Sequence, residues 1–200
     1  MSALPSTSPP ALPPALPPGW APFDSALGGC AVAWGAGGIL AMQLPEADAA
    51  ATQARLLKAS GPLAQALPPP EVARAIAAVQ ALLAGQLQHI DALDMDACME
   101  SVALDMQRVT DFQRRVYALT RRIPPGQTRT YGQLATALGN KNSARAVGHA
   151  LGLNPFAPLV PCHRVLAASG KLCGFSAHGG VATKLQMLQT EGAPLSRQAS

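Results

Sequence analysis

The spacing of apolar positions changes along this chain, and the changes mark out its elements. From Ala26 to Leu44 no side chain is charged, a length that raises a membrane-spanning helix. Five glycines interrupt that run, and glycine is a poor helix former. Cys30–Trp34, a turn at 35–38 and Ile39–Leu44 instead spell strand, turn, strand. Helical spacing comes next. Glu46–Ala59 is Ala-rich, with Leu56 and Leu57 as apolar points. Glu71–Leu87 follows three prolines and sets Val72, Ile76, Val79 and Leu83 on one face. Ser101–Asp105 reads as a further short strand.

Beyond residue 110 most of the apolar spacing up to about Leu153 is helical. Phe112, Val116, Leu119 and Ile123 form one stripe, capped by Thr110 or Asp111 and stopped by Pro124-Pro125-Gly126. Thr130 caps a short helix from Tyr131 to Leu138, with Gly139 as its left-handed end. Asn142 or Ser143 caps the next, running to about Leu153. Helix, short turn, helix is the helix-turn-helix pattern, although any two-helix hairpin reads alike. The second helix is slim, with Ala144, Ala146, Gly148 and Ala150, while Arg145 and His149 protrude. Such a face suits either a nucleic-acid groove or ordinary close helix packing. A last helix, Val181–Thr190, would pack through Val181, Leu185 and Leu188.

These elements divide the chain into a small α/β domain over 23–109 and a mostly α domain over 110–195. Residues 1–22 carry eight prolines and no charge; they read as a disordered tail, without the basic start of a secretory signal. Residues 196–200 form a second tail.

Charge sharpens this division. Residues 1–110 hold 4 Lys/Arg against 9 Asp/Glu, whereas residues 111–200 hold 11 against 2. A polyanion meeting the second half fits this asymmetry, and a solvated basic face is the bland alternative. Four cysteines without paired spacing fit a reducing cytosol better than a disulfide framework. Neither Cys162, His163 and Cys173 nor Cys30, His89 and Cys98 makes a ligand set, so no metal is expected. His89 reads as a plain surface or packed histidine.

The chemistry concentrates in Asn154-Pro-Phe-Ala-Pro-Leu-Val-Pro-Cys-His-Arg-Val165. Its prolines exclude helix, and Leu159-Val160 suggest a buried, extended, rigid run. The run ends in Cys162, His163 and Arg164, neighbours that favour thiolate. A buried structural cysteine is the alternative. An extended backbone would turn Cys162 and His163 apart, so a bridging water is a sensible link. The histidine then needs an acceptor on its other nitrogen. Glu191 is the free acid of this half, unless it is only a solvated helix end.

The tract Pro161-Cys-His-Arg-Val165, with Asn154-Pro155 upstream, resembles the active-site signature of the O6-alkylguanine-DNA alkyltransferases. The resemblance runs from Phe112 to Gly192. It implies repair of double-stranded DNA containing O6-alkylguanine, with the alkyl group moved irreversibly to Cys162 in a single turnover and no cofactor. It further implies a ribonuclease-H-like N-terminal domain and a cytoplasmic monomer that does not enter membranes. By the same resemblance Cys162, His163 and Glu191 form a relay, Tyr131 protonates the leaving guanine, and Asn154 braces the loop before the cysteine. Arg145 fills the gap of a flipped nucleotide, Leu151 packs on the base, and Val165 (through its backbone) and Ser176 hydrogen-bond it. The slim helix, with Ala144, Ala146 and Gly148, lies in the minor groove.

The sequence departs from the family at two places. Gly152-Leu153 stand where an arginine is common, leaving Lys141 and Arg129 to meet phosphate. Phe175 replaces a tyrosine in a longer lid, Gly174–Gly180, which leaves the preferred alkyl size open. His178 is expected to face solvent, and Lys184 matches a family lysine near the site. Two other readings compete. One is a non-catalytic lesion sensor, against which Cys162 itself argues. The other is a cysteine hydrolase, for which no oxyanion-hole element is visible.

Overall fold

Trp20 and Ala21, assigned from sequence to the tail, are buried in the first strand of a sheet. The computed structural model describes residues 17–86, 102–170, 172 and 174–194. Strand β1 (Gly19–Ser25) pairs antiparallel with β2 (Gly28–Gly35), which pairs antiparallel with β3 (Gly38–Gln43). Pro22 sits in β1 at the sheet edge, where a missing N–H is tolerated. The tail therefore ends before Gly19; its first sixteen residues lie outside the described ones.

Strand β2 is buried on both faces, and alternation assigns each face a partner. Cys30, Val32 and Trp34 join the main core with Met42, Val72 and Val79. Ala31 and Ala33 face the other way, towards Trp20, Ala41 and Leu56. Leu56 comes from helix α1 (Ala49–Ser60), capped by Asp48. Val72 and Val79 come from α2 (Pro70–Leu83). Both helices are shorter than predicted: the Asp48 cap delays the start of α1, and α2 stops at Leu83, before Ala84 and Gly85, the latter at φ 70°. Where a short strand was expected over 101–105, the described residues make a single bridge, Leu104 to Ile39.

The second half adds α3 (Asp111–Arg121), α4 (Tyr131–Ala137), α5 (Ala144–Gly152) and α6 (Val181–Thr190). Reciprocal side-chain and backbone bonds between Thr110 and Gln113, and between Thr130 and Gln133, start α3 and α4. Gly139, at φ 89°, takes the left-handed position after α4. Ser143 holds the N-cap position of α5, as expected, but its side chain makes no capping bond; the side-chain cap is Asn140, one short turn earlier. Its side chain accepts from Asn142 N at 3.0 Å and opens a 3-10 turn, Lys141–Ser143, that leads directly into α5. Tyr117 Oη donates to Ala150 O at 2.9 Å and locks α3 against α5.

One apolar cluster runs through both halves, from Trp34 and Met42 to Val116, Phe156 and Met187. Met42 N also donates to Pro155 O at 2.8 Å, tying β3 to the loop before Cys162. A two-residue parallel pair, β4 (Arg129–Thr130) with β5 (Val165–Leu166), sets the start of α4 beside the cysteine turn. No helix among the described residues is long and apolar enough to cross a membrane.

Candidate active site

The proline-rich run is buried but not extended. Asn154 bends it by accepting from Phe156 N at 3.0 Å, a side chain bonding backbone two residues on. Its Nδ2 donates to Val160 O at 2.8 Å. These two bonds close the loop as a series of turns, with a cis bond at Ala157–Pro158. Asn154 is thus placed as the expected brace. Cys162–Arg164 then form one 3-10 turn, so the extended backbone inferred for Cys162 and His163 is corrected.

Cys162 lines a cavity of about 730 Å³. Tyr131 from α4 and Ala144, Arg145, Gly148 and Leu151 from α5 form one side, and Phe175 and Ser176 form another. Most residues predicted to contact a base are thus brought together. Val165 is not: it lies outside the lining, its N–H bonds Cys162 O, and its carbonyl accepts from Lys184 Nζ at 2.7 Å. Arg129, Lys141 and Ala146 lie outside the cavity and are exposed.

Behind the cysteine lies a buried ionic cluster. His163 Nε2 donates to Glu191 Oε1 at 2.8 Å. Arg164 grips the same carboxylate with Nε on Oε2 at 2.9 Å and Nη2 on Oε1 at 2.8 Å. Gly126 lies against the Glu191 end of α6, with its N–H donating to Glu191 Oε2 at 3.4 Å. It packs where a Cβ would stand 2.9 Å from Glu191 O, at φ 74°. Glu191 is therefore no solvated helix end. Arg164, which the sequence offered as an aid to the thiolate, serves the carboxylate instead. Forked guanidinium–carboxylate pairs are strong and directional, and this one fixes the orientation of Glu191.

Electrostatics assign protonation states. Burial pushes the Cys162 thiol up, against the Asn154 hydrogen bond and the Lys184 charge. Burial thus works against the thiolate that the neighbouring residues suggested from sequence. Burial likewise pushes His163 down, while Glu191 opposes. Burial alone would raise Glu191, but hydrogen bonds and charge from His163 and Arg164 outweigh it and hold the carboxyl at about 2. With Nε2–H on a carboxylate, Nδ1 of a neutral imidazole is an acceptor. That atom is buried with no hydrogen-bond partner among the described residues.

Lys184 is fully buried, and its Nζ lies 5.9 Å from the centre of the Tyr131 ring. Helix α6 buries Leu188 as predicted, but Lys184 and Met187 complete its inward face while Val181 is exposed, which corrects the rest of the predicted packing face. A lysine read as polar hid that face. His178 is exposed, as expected. Cys98, Cys173 and His89 lie outside the described residues, among which no three metal-ligating side chains gather.

Comparison with known proteins agrees with this geometry. The family model described as 6-O-methylguanine DNA methyltransferase, DNA binding domain, matches residues 111–193. A methylated-DNA--protein-cysteine methyltransferase of Mycobacterium tuberculosis is 44% identical over 117 residues, 58% of this chain and 63% of that protein. One of Salmonella typhimurium is 51% identical over 83 residues, 42% of this chain and 47% of that protein. In sequence the chain thus matches less than two thirds of either relative. In structure the likeness is longer. A Mycobacterium tuberculosis OGT solved in complex with DNA is 35% identical, with 88% of this chain and 95% of that one covered at a TM-score of 0.65. A buried cysteine–histidine–glutamate arrangement, a basic second half and a match spanning both halves lead to one conclusion: the chain belongs to the 6-O-methylguanine-DNA methyltransferase family.

Proposed function

We propose that this protein repairs DNA by moving an alkyl group from the O6 atom of guanine in a duplex to its own Cys162, once and without return. The observation that carries this reading is the placement of the Cys162 thiol on the wall of a base-sized cavity with the His163–Glu191 pair behind it. Cavities of this volume commonly enclose small ligands. A guanine reaches the thiol only by leaving the stack, at a cost of a few kcal/mol that damage lowers.

Burial works against the thiolate, so transfer begins with loss of the thiol proton. Neutral His163 takes that proton at Nδ1, directly or through one water, and the resulting imidazolium is stabilised by ionised Glu191. The Cys162 sulfur forms its bond to the alkyl carbon as the carbon–oxygen bond breaks, and the electron pair moves into the guanine ring. Tyr131 protonates that ring, and the Lys184 charge beside it stabilises the developing phenolate. The products are a thioether and an unmodified guanine. A soft sulfur nucleophile suits displacement at carbon.

The helix, turn and helix of α4 and α5 read as a helix-turn-helix whose second helix enters the minor groove. Ala146 and Gly148 permit close approach, Arg145 fills the vacated stack, and Arg129 and Lys141 hold phosphate. The division near residue 110 separates this DNA-binding half from an N-terminal half whose sheet the family reading makes ribonuclease-H-like. The protein acts as a cytosolic monomer without cofactor.

Incubation with a duplex bearing O6-methylguanine should add one methylene to the intact mass, located in the peptide containing Cys162. Binding of the lesion with no mass change would overturn this function.

A further inference from the structure

Transfer chemistry gives no role to a contact that crosses the whole chain. Arg55 on α1 donates from Nη2 to the carbonyl of Ser176, 121 positions away. Its Nη1 pairs with Glu46 Oε1 at 2.7 Å. The same Glu46 oxygen accepts from Gln43 Nε2 at 2.9 Å, at the end of β3. Its other oxygen lies 4.0 Å from His178 Nδ1. The Glu46 side chain is only 13% exposed, so the ion pair is partly shielded from water, unlike a free surface pair.

What this contact holds is a partition. Phe175 and Ser176 line the 730 Å³ cavity on one side. On the other they line a second cavity of about 170 Å³, shared with Met42, Leu44, Arg55 and Leu56. The partition is bounded by glycines: Gly174 before it, and Gly179 and Gly180 after it at φ 78° and 53°. Its downstream end is fastened by Thr183 Oγ1 to His178 O at 2.6 Å. Ser176 itself is fastened by Arg55.

We infer that Arg55, oriented by Glu46, clamps the Phe175–Ser176 wall and thereby limits the size of alkyl group that reaches Cys162. This inference rests on the alkyl-transfer reading. A methyl group needs no space beyond the main cavity. A benzyl group reaches further beyond O6 than a methyl, and the second cavity gives the Phe175–Ser176 wall room to retreat before it. With the clamp intact, bulky substituents are disfavoured and Ser176 stays in place for a small lesion. Without it the wall gains freedom, which admits larger groups and slows methyl transfer through lost positioning. Arg55 and Glu46 touch neither base nor alkyl group, so both are positioning residues.

The test compares wild type, Arg55→Ala, Glu46→Ala and the double variant in single-turnover transfer from duplexes bearing O6-methylguanine or O6-benzylguanine, read by intact mass. In Arg55→Ala the benzyl-to-methyl rate ratio should rise on the order of tenfold, the discrimination a modest change in pocket size supports. Glu46→Ala should shift it in the same direction. The double variant should match Arg55→Ala alone, because residues acting as one unit are not additive. If Arg55→Ala fails to fold, Arg55→Gln, whose side chain is too short to bridge Glu46 and Ser176, carries the same expectation. An unchanged ratio in a folded variant that still transfers methyl overturns the clamp and leaves alkyl transfer standing. A wild type that transfers neither group overturns alkyl transfer itself.

Discussion

At the scale of single residues the site turns on Glu191, whose one carboxylate holds both the His163 imidazole and the Arg164 guanidinium. Its side chain is 1% exposed and that of Arg164 5%. Replacing Glu191 by Gln leaves the Arg164 guanidinium buried without a counter-charge. Breaking such a pair costs roughly 3–5 kcal/mol, read as a lower urea midpoint, and transfer to Cys162 should fall with it as His163 loses its orienting acceptor. The pH dependence has a definite sign. Glu191 is held at about 2 in the folded protein, well below an unfolded glutamate at about 4.3. Its contribution to stability is therefore complete above the unfolded value and fades as pH falls towards about 2. The gap in melting temperature between wild type and Glu191→Gln should be constant near neutrality and narrow through that acid window. A gap that persists unchanged to the bottom of the window would contradict the assignment. Residue identity was legible here because Cys162 and His163 are adjacent and Glu191 is one of only two acids in its half. The protonation state was not legible, since burial, which decides it, is a property of the packed chain.

At the scale of elements, capping chemistry was readable and long-range pairing was not. Thr110 and Thr130 announce their helices by side chains that bond within three residues, a range over which sequence determines geometry. Strand β1 was hidden because Pro22 and the prolines before Gly19 read as one tail. What recruits it is pairing with β2 and the burial of Trp20 and Ala21, neither of which is local. The Arg55 clamp was invisible for the same reason. The helix α5 start lay between these cases. Ser143 takes the N-cap position as expected, while the side-chain capping bond comes from Asn140, at the start of the 3-10 turn that leads into α5 and its Arg145. Replacing Asn140 by Ala should cost about 1 kcal/mol, a typical loss for a cap, seen in urea unfolding. It should also weaken duplex binding, because the turn carrying Lys141 frays with it. Unaltered stability would mean that Ser143 Oγ, which donates to Asn140 O at 2.7 Å, suffices to hold the turn.

At the scale of the whole molecule, the charge division seen in the sequence becomes a division of labour. The half with 11 Lys/Arg against 2 Asp/Glu carries the cavity and its slim helix, so DNA should meet that half through phosphate neutralisation. The proposed phosphate contacts and the proposed stack-filling arginine would differ in what they recognise, and salt separates them. Arg129 and Lys141 are exposed and outside the cavity, whereas Arg145 lines it. Each phosphate contact on a duplex adds about 0.9 to the slope of log affinity against log salt. Arg129→Ala and Lys141→Ala should each reduce that slope by about one and weaken binding to damaged and undamaged duplexes alike. Arg145→Ala should instead erase most of the preference for the lesion, because the contact proposed for it would form only once a base has left the stack. Affinity titrations of both duplexes across a salt series distinguish these outcomes. If Arg145→Ala lowers the slope and leaves the preference intact, Arg145 is one more phosphate contact, and the vacated position in the stack is held by another side chain of α5.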